Sequence, residues 1–540
     1  MSNRDDDSEH DGGRTGSATA GLPWAVTLNL DILQVILWYL PRADLLSVSC
    51  TSRVVRELAV MELLSRCQKV VYGHSSSFQK WCEFVLADSS RLMCIRDLFL
   101  SFEGLNIVED GFEKGLDDSE VSMDSEAQRD QNIHEQEKID RKPAELVLDV
   151  LRGATCLQRL SIGWADAILE GVPGVASAIS RLPALKSFTV EPYSVHAQHS
   201  VTDVLATMQS RLMFLHLLHV TYKSCDDSQT GAWDYDLPRA LAPHLGTLEE
   251  LHLGSPDGRT PRVRSTTLHT LEIPLAEQQP RPRELFEAFP NLRTLRTNNY
   301  WSGFDPFESV EEDRYLELRD DRISEQRGGH VWASLDTLRG SFMHLYVLGL
   351  TCPVRRLEIQ SYLPGRHGAA MDIVRYASPQ KLVLGIKCCK SERATVHQPS
   401  LVVPESSDRP HVTHLTVRIL LGTPIASTQD LINDLVPLLQ NSKIEYLRLA
   451  VGGTYMSDDK LEEHWILDWE HRVKKCVRNL DLRLLRDTLV GVSTTLRVLA
   501  FTIVIRGQTA WTIDRSSPGT ATATEVDSLD ARELIRREEA

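Results

Sequence analysis

A six-residue pattern recurs along most of this chain and constrains its fold more than any other feature. Each copy reads as an apolar residue, two variable residues, an apolar residue, one variable residue and a final apolar residue. In a strand, the last two apolar side chains of each copy point to the same side, which predicts a half-buried strand. The eleven clear copies start at Ile95, Leu157, Leu185, Leu212, Leu248, Leu268, Leu292, Val354, Val412, Ile444 and Leu496.

Segments of helical periodicity precede many of these strands, so the chain repeats the order helix, turn, strand. The predicted helices cover residues 77–87, 144–154, 175–182, 201–212, 282–289, 430–440 and 482–492. This alternation is typical of a solenoid with a parallel sheet on one face and helices on the other. The alternative is a set of unrelated strands in an ordinary α/β domain.

The repeat resembles a degenerate form of the leucine-rich repeat. Spacing is even between the copies at Leu157, Leu185 and Leu212 and varies later. The Asn or Cys that the leucine-rich pattern usually places eight residues after the first apolar residue is absent from all eleven copies. The predicted fold class is therefore α/β, with three N-terminal helices followed over residues 70–506 by an irregular leucine-rich-repeat-like solenoid.

The N-terminal segment from Leu28 to Leu58 carries more apolar surface than three short helices can bury among themselves. Pro41 is expected to end the first helix, Asp44 to cap a second helix, and a third helix to run from Arg53 towards Cys67. Units of about 40 residues rarely fold without disulfides, metal or association, so a binding partner is indicated. An ordinary helical hairpin at the head of a globular domain is the alternative.

This segment, residues 22–69, resembles an F-box, the three-helix motif that docks a receptor onto a Skp-type adaptor of a cullin-based ubiquitin ligase. The matching positions include Asp44 and Arg53, while Asn29 stands where the family usually has proline. The resemblance implies adaptor binding, and a cullin scaffold reached through the adaptor. The adaptor-binding residues that it implies are Leu28, Ile32, Leu33, Ile36, Leu40, Leu45, Leu46 and Val48.

Charge and hydropathy limit the classes of partner. The chain has 540 residues and a net charge of −16, and residues 103–140 contain thirteen acidic and three basic residues. We expect residues 103–142 to form a disordered acidic insertion, and residues 1–21 and 507–540 to be disordered tails. An acidic chain without a basic stripe argues against nucleic-acid binding. Because no run of about 18 apolar residues occurs, we expect no membrane contact and a cytoplasmic or nuclear location.

No pattern of catalytic or metal-binding residues is evident. The close histidine pairs, His196 with His199 and His411 with His414, lack further ligands at a recognisable zinc spacing. Phosphate-binding and dinucleotide-binding glycine motifs do not occur. The sequence therefore predicts neither an enzyme nor a bound metal or cofactor.

Aromatic residues after predicted strands are the better candidates for binding. Trp233, Tyr235, Trp301 and Phe304 are expected in long loops at one edge of the solenoid. Such side chains are enriched at protein interfaces, so we assign them to contact with an unidentified protein substrate. The exposed strand positions carry mixed charges, which argues against a surface devoted to phosphorylated segments.

These expectations together describe the substrate-recognition subunit of an SCF-type ubiquitin ligase. The receptor would perform no chemistry and would act by proximity. Two alternatives are a leucine-rich-repeat scaffold with no ligase role and an α/β enzyme whose site residues are scattered in sequence.

Overall fold

The fold is described from a computed structural model. The structure describes residues 29–66, 68–71, 75–101, 141–169, 171–191, 195–218, 232–254, 263–274, 281–298, 312–362, 367–388, 412–421, 428–440, 442–453, 477–503, 506–516 and 521–539. The chain divides into two compact units, Met1–Arg66 and Cys67–Ala540. The predicted tail over residues 1–21 and nearly all of the predicted acidic insertion lie outside the described residues.

The N-terminal unit contains three helices: α1 (Leu30–Tyr39), α2 (Arg42–Val48) and α3 (Arg53–Ser65). The side chain of Asn29 caps α1 by accepting a hydrogen bond from the backbone N–H of Asp31 at 3.0 Å. Asp44 was expected to cap α2, but it lies inside the first turn and Pro41 occupies the cap position. Proline fixes the backbone angle φ near the helical value, so the helix can begin directly after it.

The second unit is built on one sheet of sixteen strands whose spatial order follows the chain. The strands are β1 (Gln68–Val71), β2 (Asp97–Ser101), β3 (Arg159–Gly163), β4 (Ser187–Val190), β5 (Phe214–Leu217), β6 (Glu250–Leu253), β7 (Thr270–Pro274), β8 (Thr294–Asn298), β9 (Leu335–Ser341), β10 (Val354–Tyr362), β11 (Lys381–Cys388), β12 (His414–Leu421), β13 (Tyr446–Gly453), β14 (Val498–Ile503), β15 (Gly507–Asp514) and β16 (Thr522–Val526). Pairing is parallel from β1 to β14. The last two pairings are antiparallel.

Helices separate most of these strands along the chain. They are α4 (Ser75–Leu86), α5 (Ser89–Cys94), α6 (Arg141–Gly153), α7 (Ala165–Leu169), α8 (Val175–Ser180), α9 (Val195–Thr207), α10 (Ala232–Leu241), α11 (Pro282–Ala288), α12 (Glu312–Gln326), α13 (Phe342–Leu348), α14 (His367–Ala377), α15 (Thr428–Leu439), α16 (Leu482–Val492) and α17 (Ser528–Glu539). The fold is thus mixed α/β with a long, mainly parallel sheet. Each of the eleven sequence hexamers overlaps a strand, which confirms that prediction.

One row of side chains crosses the sheet at the middle of successive strands, and we call it the central row. Strand pairing places these residues directly opposite one another in the order Ser161, Thr189, His216, His252, Glu272, Arg296, Arg339, Glu358, Val383, Thr416 and Arg448. On β3 and β5, the residues directly before and after the row residue are buried: Leu160 and Ile162 on β3, and Leu215 and Leu217 on β5. Since side chains alternate along a strand, one face of the sheet carries the apolar core and the other carries the mostly polar central row.

The C-terminal segment after residue 507 was expected to be disordered, and this expectation is wrong. It forms β15, β16 and α17. Ala531 and Ile535 of α17 are buried against Ala500 and Ala510 of the sheet. The contact depends on small alanine side chains, which permit close approach but add little to the apolar pattern of the sequence.

Candidate functional site

Helix α1 presents two apolar stripes, of which only one is used inside the N-terminal unit. Leu33, Leu37 and Leu40 face inward, and Leu37 is fully buried. A second set at helical spacing remains exposed and comprises Ile32, Val35, Ile36 and Tyr39. We call this second set the outer stripe of α1.

The inner stripe is held by α2 and α3. Leu45 and Ala59 are buried together with Leu37, and partly buried residues pack against this centre: Leu33, Leu40, Val48, Leu58 and Leu63. Burying a leucine side chain contributes about 1.5–3 kcal/mol, so this small core helps to hold the three helices against one another. The outer stripe therefore lies on the exposed side of a helix whose other side packs against α2 and α3.

The exposed apolar surface extends beyond the outer stripe. Trp38 is 68% exposed and Tyr39 is 78% exposed, and their ring centroids lie 5.8 Å apart. Leu46 on α2 is 52% exposed, and Val54 on α3 is also exposed. Single exposed apolar residues are ordinary, but a set of this size on one small unit is typical of an interaction site.

The predicted adaptor-binding residues fall into three groups in the structure. Ile32, Ile36 and Leu46 are exposed and free to contact a partner. Leu33, Leu40, Val48 and the fully buried Leu45 form or support the core. Leu28 lies outside the described residues. Sequence matching does not separate these groups because the same residue types occupy both.

The predicted substrate-binding aromatic residues are placed differently from the expectation. Trp233 and Tyr235 were assigned to a loop, but their backbone belongs to α10. The helix forms because Leu237, Ala240 and Leu241 recur at helical spacing and are buried, despite Pro238 inside it. Trp301 and Phe304 lie outside the described residues.

The structure does not test the histidine pairs singled out in the sequence, because the side chain of His196 and the whole of His411 lie outside its described part. His414 of the second pair bonds Glu538 at 3.1 Å, while His411 lies outside the described residues. The structure instead brings together His216, Glu250 and His252, whose possible ligand atoms all lie within 4.8 Å of one another. Strand register assembles this set. His216 and His252 both hold the fifth position of their hexamers, so aligning the hexamers places them on neighbouring strands opposite one another.

No family model matches the chain, and no curated protein matches it. No helix in the described ranges is both long and apolar enough to cross a membrane.

Proposed function

We propose that this chain is the substrate-recognition subunit of an SCF-type ubiquitin ligase. The N-terminal unit would bind a Skp-type adaptor, which in turn binds a cullin, and the sheet unit would bind a protein substrate. The observation that carries the proposal is the outer stripe of α1. It stays exposed although the inner stripe of the same helix already fills the core of the unit.

An exposed apolar stripe on a supported helix suits docking into an apolar groove of a partner. The adaptor would then be contacted by Ile32, Ile36 and Leu46. Residues of the inner core would act indirectly, because they hold α1 and α2 in place. This division agrees with the F-box resemblance of the segment, in which apolar positions serve both the helical core and the adaptor surface.

The sheet unit supports the receptor role through the length of its sheet and the spatial order of its strands. Strands that follow the chain in space give a long surface to which a protein substrate can bind, as extended repeat surfaces commonly do. The subunit would hold its substrate near a ubiquitin-loaded enzyme and so raise the effective concentration of the two reactants. No catalytic residue of its own is required for this function.

Co-expression with a Skp-type adaptor, followed by size-exclusion chromatography with light scattering, tests the proposal. We expect a stoichiometric complex. The double variant Ile36→Glu/Leu46→Glu should lose it, because two charges would have to be buried in an apolar contact. The matched control Gln34→Glu/Ser47→Glu adds the same charge at exposed polar positions of the same helices and should keep the complex.

Two results would contradict the proposal. Retained binding by the Ile36→Glu/Leu46→Glu variant would show that these side chains do not contact the adaptor. Separate elution of the folded wild-type chain and the adaptor would instead favour a scaffold that binds its partners without any ubiquitin ligase.

A further inference from the structure

The central row brings two histidines face to face as its third and fourth members. His216 of β5 pairs directly with His252 of β6 in the parallel register. Glu250 precedes His252 by two residues on the same strand, so its side chain emerges on the same face of the sheet. We call His216, Glu250 and His252 the His–Glu cluster.

The atoms of the His–Glu cluster are close and half-buried. The two imidazole rings are stacked, with centroids 3.9 Å apart and planes inclined by 6°. Oε1 of Glu250 lies 2.6 Å from Nε2 of His252 and 3.6 Å from Nε2 of His216. The Nε2 atoms of both rings are buried and, among the described residues, neither makes an aligned hydrogen bond. Two imidazole nitrogens and one carboxylate oxygen thus lie close together, and neither nitrogen has its hydrogen-bonding capacity satisfied by the oxygen.

A second carboxylate supports the cluster from the next strand. Glu272 of β7 lies opposite His252 in the register, and its Oε2 is 3.4 Å from Nδ1 of His252. Arg296 of β8 lies 3.6 Å from the same carboxylate oxygen. With a metal ion at Nε2, the proton of the His252 imidazole would be on Nδ1, where Glu272 can accept it in a hydrogen bond. Metal-binding histidines are commonly oriented in this way.

We propose that His216, Glu250 and His252 form a binding site for a divalent transition-metal ion, with Zn²⁺ as the representative ion. Two imidazoles and one carboxylate are the donor set that zinc accepts in sites with three protein ligands. Hard cations such as Mg²⁺ and Ca²⁺ prefer oxygen donors only. Because the two ring planes are nearly parallel, the in-plane lone pairs lie in two separate planes, so binding requires a ring to turn until both nitrogens face the ion.

The proposed ion would leave a coordination position open, since a tetrahedral site needs one ligand beyond the three protein donors. That position would be filled by water or by a donor atom of a bound partner. A point of positive charge would then sit in the polar face of the sheet. This inference does not depend on the proposed ligase role, because it concerns the sheet unit alone.

Isothermal titration of the full-length, metal-stripped chain with Zn²⁺ alone tests the site. We expect one saturable equivalent in the wild-type chain and its loss in the double variant His216→Asn/His252→Asn. Glu272→Gln should retain the site with an affinity weakened about 10–100-fold, the range for the loss of an outer carboxylate partner. The matched control His414→Asn removes another half-buried strand histidine beside a glutamate and should leave binding unchanged.

Spectroscopy of the wild-type chain gives a second measurement that needs no variant. X-ray absorption of the zinc-loaded protein should show two imidazole ligands per metal ion. Absence of saturable binding in the wild-type chain would overturn the proposal. Binding of unchanged affinity in His216→Asn/His252→Asn would also overturn it, because the metal would then be held by others of the 18 histidines.

Discussion

Arg66 binds the end of helix α1 by donating a hydrogen bond from Nη1 to the backbone oxygen of Leu40 at 2.7 Å. Its Nη2 donates to the backbone oxygens of Leu37 at 3.1 Å and Trp38 at 2.8 Å. The last carbonyls of a helix have no partner within it, and α1 has no basic residue in its own last turn. One side chain following α3 therefore caps α1 and joins the two helices that frame the inner core.

We predict that Arg66→Ala loosens α1. Hydrogen bonds to charged groups contribute about 1.5–3 kcal/mol, and the half-buried position of this guanidinium places the expected loss within that range. Hydrogen exchange of α1 amides should accelerate, while exchange in the sheet unit stays unchanged. Arg53→Ala is the control, because Arg53 pairs with Glu57 at an exposed position and such pairs contribute little. Equal acceleration in both variants would contradict the capping role.

Leu45 and Leu46 are neighbours in sequence with opposite environments. Leu45 is fully buried and Leu46 is 52% exposed. Leu45→Ala should lower the free energy of unfolding of the N-terminal unit by about 2–5 kcal/mol, as expected for a core leucine. Leu46→Ala should change it by no more than about 0.5 kcal/mol. Hydrogen exchange of the α2 and α3 amides would distinguish the two, and similar protection in both variants would contradict the assigned packing.

The parallel strands could be predicted because their apolar residues recur at the spacing that a half-buried strand requires. The hexamer starting at Leu248, for example, contains Leu251 and Leu253, which are both buried in β6. Helix α16 was predicted with its bounds for the same reason, since Leu485 and Leu489 recur at helical spacing and are buried. The spacing of apolar residues along a strand or helix is a local property, so it can be read from a single sequence.

Two features were not predicted from the same sequence. The contact of α17 with the sheet uses Ala500, Ala510 and Ala531, and alanine contributes little to an apolar pattern. The His–Glu cluster depends on which residue of β5 lies opposite which residue of β6. His216 and His252 hold the same position of successive hexamers, so aligning the hexamers places them side by side, whereas the approach of the Glu250 side chain to both rings appears only in the fold.

Ile535 provides a test of the packing of α17. It is buried against the alanine cluster, whereas Leu529 on the same helix is 73% exposed. Ile535→Ala should destabilise the docked helix by about 2–5 kcal/mol, the usual range for a buried isoleucine. Limited proteolysis should then cut the C-terminal segment sooner. Leu529→Ala should leave the cleavage rate near that of the wild-type chain, and early cleavage of the wild-type chain itself would contradict the docked helix.

His344 gives the sheet unit a predictable dependence on pH. It lies in α13, where every residue is buried. Burial lowers the pKa of His344 from 6.5 to about 4. Between these values the unfolded chain binds a proton that the folded chain does not. The free energy of unfolding should therefore fall as pH decreases from 6.5 towards 4, by about 3 kcal/mol in total from this residue.

Urea unfolding across this pH range measures the effect. The His344→Leu variant should have a shallower loss of stability on acidification than the wild-type chain, because the unfolded variant has no proton to gain at this position. His330→Leu serves as the control, since that histidine is only partly buried, and it should retain the steep loss. Because other groups titrate in both chains, the difference between the two slopes is the quantity that isolates His344. Identical slopes in His344→Leu and the wild-type chain would mean that His344 accepts a proton in the folded state as readily as in the unfolded state.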